Sequence, residues 1–403
     1  MKNYIKTQKN DKLKEKENKK NRKILFVVIS LCIGLFIGFL QDVYLKDSSI
    51  LKFGFNNPLD YIFETSGFLL IFILGFIVHV IIHEGGHLIF GLISGYSFVS
   101  FRVGSFMIIK ESEKLRLKRF NIPGTAGQCL MMPPDLKDGK FPFISYNFGG
   151  VIMNLIISIL GILFTMFLNG VLFPYNGTLD AILILSGVAG ILVVLTNGIP
   201  MKIGGIANDG YNAFSMIKDE NARKGFYIQL RVNGLQSQGI RIKDMDLAMF
   251  YLNDNVDLSN PLNTSMRLME YNWYLDNMDL ENARKTINTL IPYFNKLVPI
   301  YRYEINCERI FLELVGDCDM SFIDRLYNRD LKKYIKAAKF MISKKRLLMA
   351  YEAYYNKDEI KALEYYEEIK QLAEIHPVKG DSDMELMIAN YIVEDLEKSI
   401  PKI

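Results

Sequence analysis

The stretch Thr65–Tyr96, TSGFLLIFILGFIVHVIIHEGGHLIFGLISGY, decides the fold class. Its groups that titrate near or below neutral pH are His79, His83, Glu84 and His87. A helix needs about 20 predominantly apolar residues to cross a bilayer, so this segment reads as a membrane span that carries ionisable groups inside it. Working outward, Ile24–Leu40 is 17 residues without a charge. No charge occurs from Phe141 to Leu179, with Gly149–Phe173 the most apolar part, and Ala181–Met201 is a further uncharged run of 21. The expectation is four transmembrane helices. Gln41-Asp42-Val43-Tyr44, rather than a small-residue cleavage site, follows the first, which reads as an uncleaved anchor.

Composition excludes other classes. A chain of 403 residues that is 50% hydrophobic is too apolar for disorder. Cys32, Cys129, Cys307 and Cys318 are scattered without a CxxC, which excludes a disulfide framework and a metal knuckle. The formal charge of +4 is unevenly spread: residues 1–23 hold ten Lys/Arg against three acids, 24–210 hold eleven of each, and 211–403 hold 27 against 30. A basic tail, an apolar middle and a mildly acidic end make no nucleic-acid-binding face. The 97–148 loop carries eight Lys/Arg, whereas 41–64 has only Lys46 and Lys52 and 174–180 has none. The positive-inside bias therefore predicts a multi-pass protein of the cell membrane, with both termini and the 97–148 loop cytoplasmic. Cys307 and Cys318 would then be free thiols in a reducing compartment.

Within that loop, Phe98–Lys110 and Leu115–Phe120 have strand-like composition and are joined by a polar turn, which predicts a β-hairpin at the membrane surface. Gly124, Gly127, Pro133 and Pro134 read as breakers of any regular element before the next span. After Gly210 the chain becomes soluble and helical, with apolar residues at three-to-four spacing and charged opposite faces. WYLDNMDLENARKTINTL from Trp273 and AYYNKDEIKALEYYEEI from Ala353 resemble each other and tetratricopeptide-type hairpins. The turn glycine is absent and the spacing irregular, so an ordinary helical bundle is the other reading. The expected architecture is an α-helical polytopic membrane protein: a basic tail (1–23), a four-helix transmembrane domain with a surface hairpin (24–210), and a cytoplasmic helical domain (211–403).

The chemistry lies in His83-Glu84-Gly85-Gly86-His87. A spacing of four stacks two imidazoles on one helical face, able to hold one Zn²⁺ through neutral nitrogens. Glu84 beside them is placed to take a proton from an activated water. Ionisable groups inside a bilayer are costly unless coordinated or paired, which argues for a metal. His79, one turn earlier, cannot reach the same ion with good geometry and reads as a supporting or packing residue. Gly85 and Gly86 cost about 2 kcal/mol of helix propensity relative to alanine; they permit close approach of a neighbouring helix or an extended substrate. A catalytic zinc needs a third protein ligand. The candidate is Asp209, in NGIPMKIGGIANDG (197–210), where Pro200 and Gly204-Gly205 break the last span. Irregular backbone at membrane depth is tolerated where it is buried or lines a polar cavity.

These motifs resemble the site-2 proteases, intramembrane zinc metallopeptidases. That family pairs an HExxH helix with a later Asn-x-x-Pro…Asp-Gly segment, and often an Ala/Gly-Gly-Pro-x-x-Asn in between. The matching residues here are His83, Glu84 and His87, then Gly149, Gly150 and Asn154, then Asn197, Pro200, Asp209 and Gly210. The resemblance covers residues 67–210. Val151 stands where the family commonly has proline, and Asn197 and Asp209 are twelve residues apart, some four more than the commonest pattern. The resemblance implies one zinc held by His83, His87 and Asp209, with Glu84 as the general base. Asn154 and Asn197 are expected either to line the substrate cleft or to bond between helices. The substrate would be an extended transmembrane or membrane-proximal peptide, and the 98–120 hairpin could offer it an edge strand. The alternative is a non-proteolytic membrane scaffold that keeps zinc for stability while its helical tail binds cytoplasmic partners. An intact Glu84 disfavours it, since a structural zinc needs no base.

Overall fold

A computed structural model describes residues 58–111, 114–120, 125–171, 177–203, 206–253 and 256–399. The basic tail and the expected span at 24–40 lie outside these residues. Among the described residues, three helices are long and apolar enough to cross a membrane: Ser66–Ile93, Phe143–Phe167 and Leu179–Gly198, of 28, 25 and 20 residues. They are parts of α1 (Pro58–Ile93), α2 (Phe143–Val171) and α3 (Gly177–Gly198). Pro142 precedes α2 and Pro200 follows α3, each where a helix does not continue through a proline ring.

The chain divides into two compact units, one of the described residues up to Ile77 with Ile157–Gly190, the other of Val78–Ile156 and Ile191 onward. In the first unit Phe68 and Leu185 are buried against Ile71 and Ala181. A Cβ on Gly75 would lie 2.9 Å from the Cα of Ser186, so α1 and α3 approach as closely as backbones allow. Leu70, Leu74, Phe164 and Met166 are each more than half exposed. Helices apolar all round in this way need a lipid solvent.

In the second unit α1 runs on through its histidines and ends at Ile93; a short turn at Ser94-Gly95-Tyr96 leads into β1 (Ser97–Val103). β1 is followed by β2 (Phe106–Glu111), β3 (Lys114–Arg119) and β4 (Gly127–Met132). They form an antiparallel sheet in the order β3-β2-β1-β4. The expected single hairpin is therefore too simple. Phe98–Lys110 is two strands, reversed at Gly104 (φ +58°) between the paired residues Val103 and Phe106. Gly127 opens a strand rather than breaking one, paired with Val103 where β1 meets β4. Side chains alternate across β4. A Cβ on Gly91 of α1 would meet Sδ of Met131, and one on Gly234 would meet Cβ of Met132. Gly234 belongs to the helix Glu220–Ser237, so β4 is packed between that helix and α1.

From Asp209 onward the described residues are mainly helical. They include α4 (Asp209–Lys218), α5 (Glu220–Ser237), α6 (Pro261–Asp276), α7 (Leu280–Asn288), α8 (Pro299–Leu314), α9 (Met320–Leu326), α10 (Arg329–Ala337), α11 (Ile342–Ala350), α12 (Glu359–Ile375) and α13 (Lys379–Ser399). The two resembling segments fold alike. Met278 (φ +56°) and Lys357 (φ +57°) each end a helix, Asp279 and Asp358 cap the next, and Ala283 and Ala362 are buried inside it. A third copy escapes the sequence pattern: Cys318 (φ +54°) precedes the cap Asp319 of α9. The caps at 279, 319 and 358 recur at intervals of 40 and 39 residues. A buried ion network ties the array together. Arg346 donates to Glu308 at 2.9 Å and Glu385 at 2.5 Å, and Tyr271 donates to Glu308 at 2.7 Å.

Candidate metal centre

Period 3.6 places His79, His83 and His87 on one stripe of α1, and all three are buried, as is Glu84. Nε2 of His83 lies 3.0 Å from Oδ2 of Asp209, Nε2 of His87 lies 3.4 Å from the same oxygen, and the two Nε2 atoms are 3.2 Å apart. Ligands about 2.0–2.2 Å from a tetrahedral zinc stand roughly 3.3–3.5 Å from one another. The three atoms thus form one face of a ligand tetrahedron of nearly the right size. Among the described residues, His83, His87 and Asp209 are the group of His, Cys, Asp and Glu side chains that could hold a metal ion. Burial works to raise the Asp209 carboxyl, but the two histidines outweigh it and hold it well below the usual carboxylate range.

The far side of each imidazole is also engaged. Nδ1 of His87 lies 2.7 Å from the carbonyl of Tyr146 and donates to it, which turns Nε2 toward Asp209 and the other imidazole. The Asn154 amide, fully buried, bridges the other two rings, with Nδ1 of His79 at 2.9 Å and Nδ1 of His83 at 3.2 Å. Asn154 therefore stands behind the ligands. His79 reaches the centre only through it. Asn197 donates to the carbonyl of Val193 in its own helix at 3.0 Å and is not drawn into the cluster.

Two helix crossings make room for this geometry. A Cβ on Gly86 would lie 2.4 Å from the carbonyl oxygen of Gly149, so α1 and α2 meet backbone to backbone there. A Cβ on Gly150 would lie 2.7 Å from Cε1 and Nδ1 of the His83 ring. Gly85, by contrast, faces open space. Of the two sequence explanations for this pair, helix packing applies to Gly86.

Asp209 is carried across a break in the chain. β5 (Lys202–Ile203) and β6 (Ile206–Ala207) form a short hairpin that takes up the additional residues between Asn197 and Asp209. Asn208 then closes the break. Its Nδ2 donates to the carbonyls of Thr196 at 2.7 Å and Ile199 at 2.6 Å, and its Oδ1 accepts from the amides of Met201 and Tyr211. One side chain bonds a carbonyl in the last turn of α3 and the Ile199 carbonyl just beyond it, and caps the N-terminus of α4, where Asp209 is the first residue. A Cβ on Gly210 would lie 2.3 Å from the carbonyl oxygen of Gly198, which explains the glycine after the aspartate.

Asn208, Tyr146 and Gly127 are the site-building residues that the motifs did not identify. An Asn immediately before a helix is a capping signal that points to the first. Tyr146 acts here through its backbone, for which side-chain identity carries no signal. The strand beside the motif is β4: a Cβ on Gly127 would press on Glu84, and Cys129 gives Glu84 a backbone hydrogen bond. It lies outside the 98–120 hairpin, whose β3 is the opposite edge of the sheet.

Comparison with protein-family models, curated proteins and solved structures finds no match for this chain. The resemblance to site-2 proteases therefore rests on motifs and on the geometry above.

Proposed function

We propose that this chain is an intramembrane zinc metalloendopeptidase of the site-2 protease type. The convergence of His83, His87 and Asp209 at tetrahedral edge distances, with Glu84 beside them in a membrane-spanning helix, carries the reading. Two neutral imidazoles and one carboxylate suit zinc and leave a fourth position open, the pattern of catalytic rather than closed structural sites. A zinc held there would polarise the scissile carbonyl and acidify a water. Glu84 takes the proton of the attacking water and delivers it to the leaving amine. Asn154 and the Tyr146 carbonyl orient the two imidazoles, with Asn154 bonding between helices.

The substrate is a membrane-embedded or membrane-proximal peptide in extended form, because helical amides are already hydrogen-bonded and shielded. The proposed topology has four spans in the cell membrane with both termini and the sheet cytoplasmic; the lysines and arginines of the 1–23 and 97–148 segments support it. The three-hairpin array is then a cytoplasmic surface suited to protein partners.

The deciding experiment compares membrane peptides from cells that carry the intact chain or Glu84→Gln, at matched expression and metal content. Glutamine keeps nearly the same volume and a polar head while removing the base. Transmembrane segments should accumulate uncut in the variant. A variant indistinguishable from the parent in every readout supports the zinc-stabilised scaffold instead.

A further inference from the structure

The Glu84 carboxylate rests on β4. A Cβ on Gly127 would lie 2.7 Å from both Cγ and Oε1 of Glu84 and 3.0 Å from Cδ. Two residues on, the backbone of Cys129 gives the same carboxylate a hydrogen bond. Gly127 has no positive φ, so no backbone conformation demands glycine there. What demands it is the space that Glu84 occupies.

The strand is held at this distance by two independent ties. The Tyr146 hydroxyl donates to the carbonyl of Cys129 at 2.8 Å, and the carbonyl of the same tyrosine accepts from His87. β4 and one imidazole of the centre therefore share a single anchoring residue on α2. At the entry to β4, fully buried Arg102 donates to the carbonyl of Gly104 at 2.6 Å and to Thr125 Oγ1 at 2.5 Å.

We propose that β4 positions the general base, with Gly127 as the positioning residue whose missing Cβ lets the Glu84 carboxylate stand beside the metal ligands. This rests on the protease reading. Moving a reacting group by about 1 Å costs on the order of 100-fold in rate, so a methyl at 127 should be felt in turnover rather than in binding.

The test uses the full chain in detergent micelles, loaded with zinc, with fluorescein-labelled casein as the probe. Gly127→Ala should keep the parent's zinc content and melting temperature, lose about 100-fold in kcat, and change KM by less than about twofold. Glu84→Asp withdraws the carboxylate by one methylene, away from position 127. In that background, adding Gly127→Ala should cost little further. If Gly127→Ala fails to fold, the double variant should fold again, because the clash is gone. An unchanged kcat in Gly127→Ala while Glu84→Gln is inactive overturns the inference and leaves the protease reading standing. The same penalty in both backgrounds, or a loss expressed as KM or zinc content, also overturns it. Equal activity of the parent and Glu84→Gln removes the protease reading and this inference together.

Discussion

Nδ2 of Asn208 donates to the carbonyl oxygen of Thr196 at 2.7 Å, joining the start of one helix to the last turn of another twelve residues earlier. The same amide reaches Ile199, so the break in the last span is closed from inside by one side chain. Asn208→Ala would strip both helix ends of their partners while leaving all three metal ligands in place. We expect it to weaken zinc about 10–100-fold, as loss of a ligand-orienting residue does. Chelator competition on the purified chain measures this. Asp209→Ala should weaken zinc further while the helices stay inserted, and full occupancy of that variant after mild chelation would remove Asp209 from the centre.

Gly150→Ala tests the contact between α2 and the centre. Its methyl would meet the His83 ring at 2.7 Å and the His83 carbonyl at 2.8 Å. The ring or the helix must shift, and zinc affinity should fall by about tenfold or more. Gly85→Ala, where a Cβ meets nothing, should leave zinc affinity unchanged.

The helical array carries its own pH dependence. Burial pushes Glu385 up to about 7 against the opposing charge of Arg346, and pushes Asp381 up to about 6. Both folded-state values lie above those of the unfolded chain, so the folded state holds protons that the unfolded state has lost. Stability is therefore fullest below the ordinary carboxylate range and is lost as pH rises through 6 and 7. Glu308 works the other way, since burial would raise it but Arg346 and Lys344 hold it down, and its contribution is lost only under acid. The melting temperature reported by Trp273 fluorescence should fall between pH 5 and pH 7.5. Glu385→Gln should flatten that slope.

Topology is decided by labelling. With the native cysteines replaced, a cysteine at exposed Leu115 should react only with reagents that enter the cytoplasm. Reaction with an impermeant external reagent would invert the whole orientation.

Three of the four expected apolar helices, with the HExxH segment in the first of those three, were legible in the sequence because hydrocarbon imposes an unmixed signal: long uncharged runs, and a few ionisable groups whose cost needs a cause. Asp209 was legible only through a motif, and its longer spacing is absorbed by β5 and β6. β4 was hidden because Gly127 carries the local signature of a breaker, whereas its cause is a carboxylate 43 residues earlier in the chain. The third helical hairpin was hidden for a related reason. Cys318 takes the same left-handed turn as Met278 and Lys357, but Ile323 stands four residues after the cap where the other two copies have alanine, so only the capping Asp319 marked it.

Asp209 opens α4, and Asp219 ends that helix and caps α5, whose Gly234 seats Met132 of β4. Asp209, the proposed third metal ligand, and the strand beneath Glu84 thus hang from the same pair of helices, from which the C-terminal helices continue. A truncation after Gly210 would leave Asp209 on a helix of two residues. Deletion of the C-terminal helices would therefore confuse loss of the proposed docking surface with collapse of the proposed metal centre. Point substitutions on the outer hairpins, beyond Ser237, are the way to silence the array while sparing the chemistry.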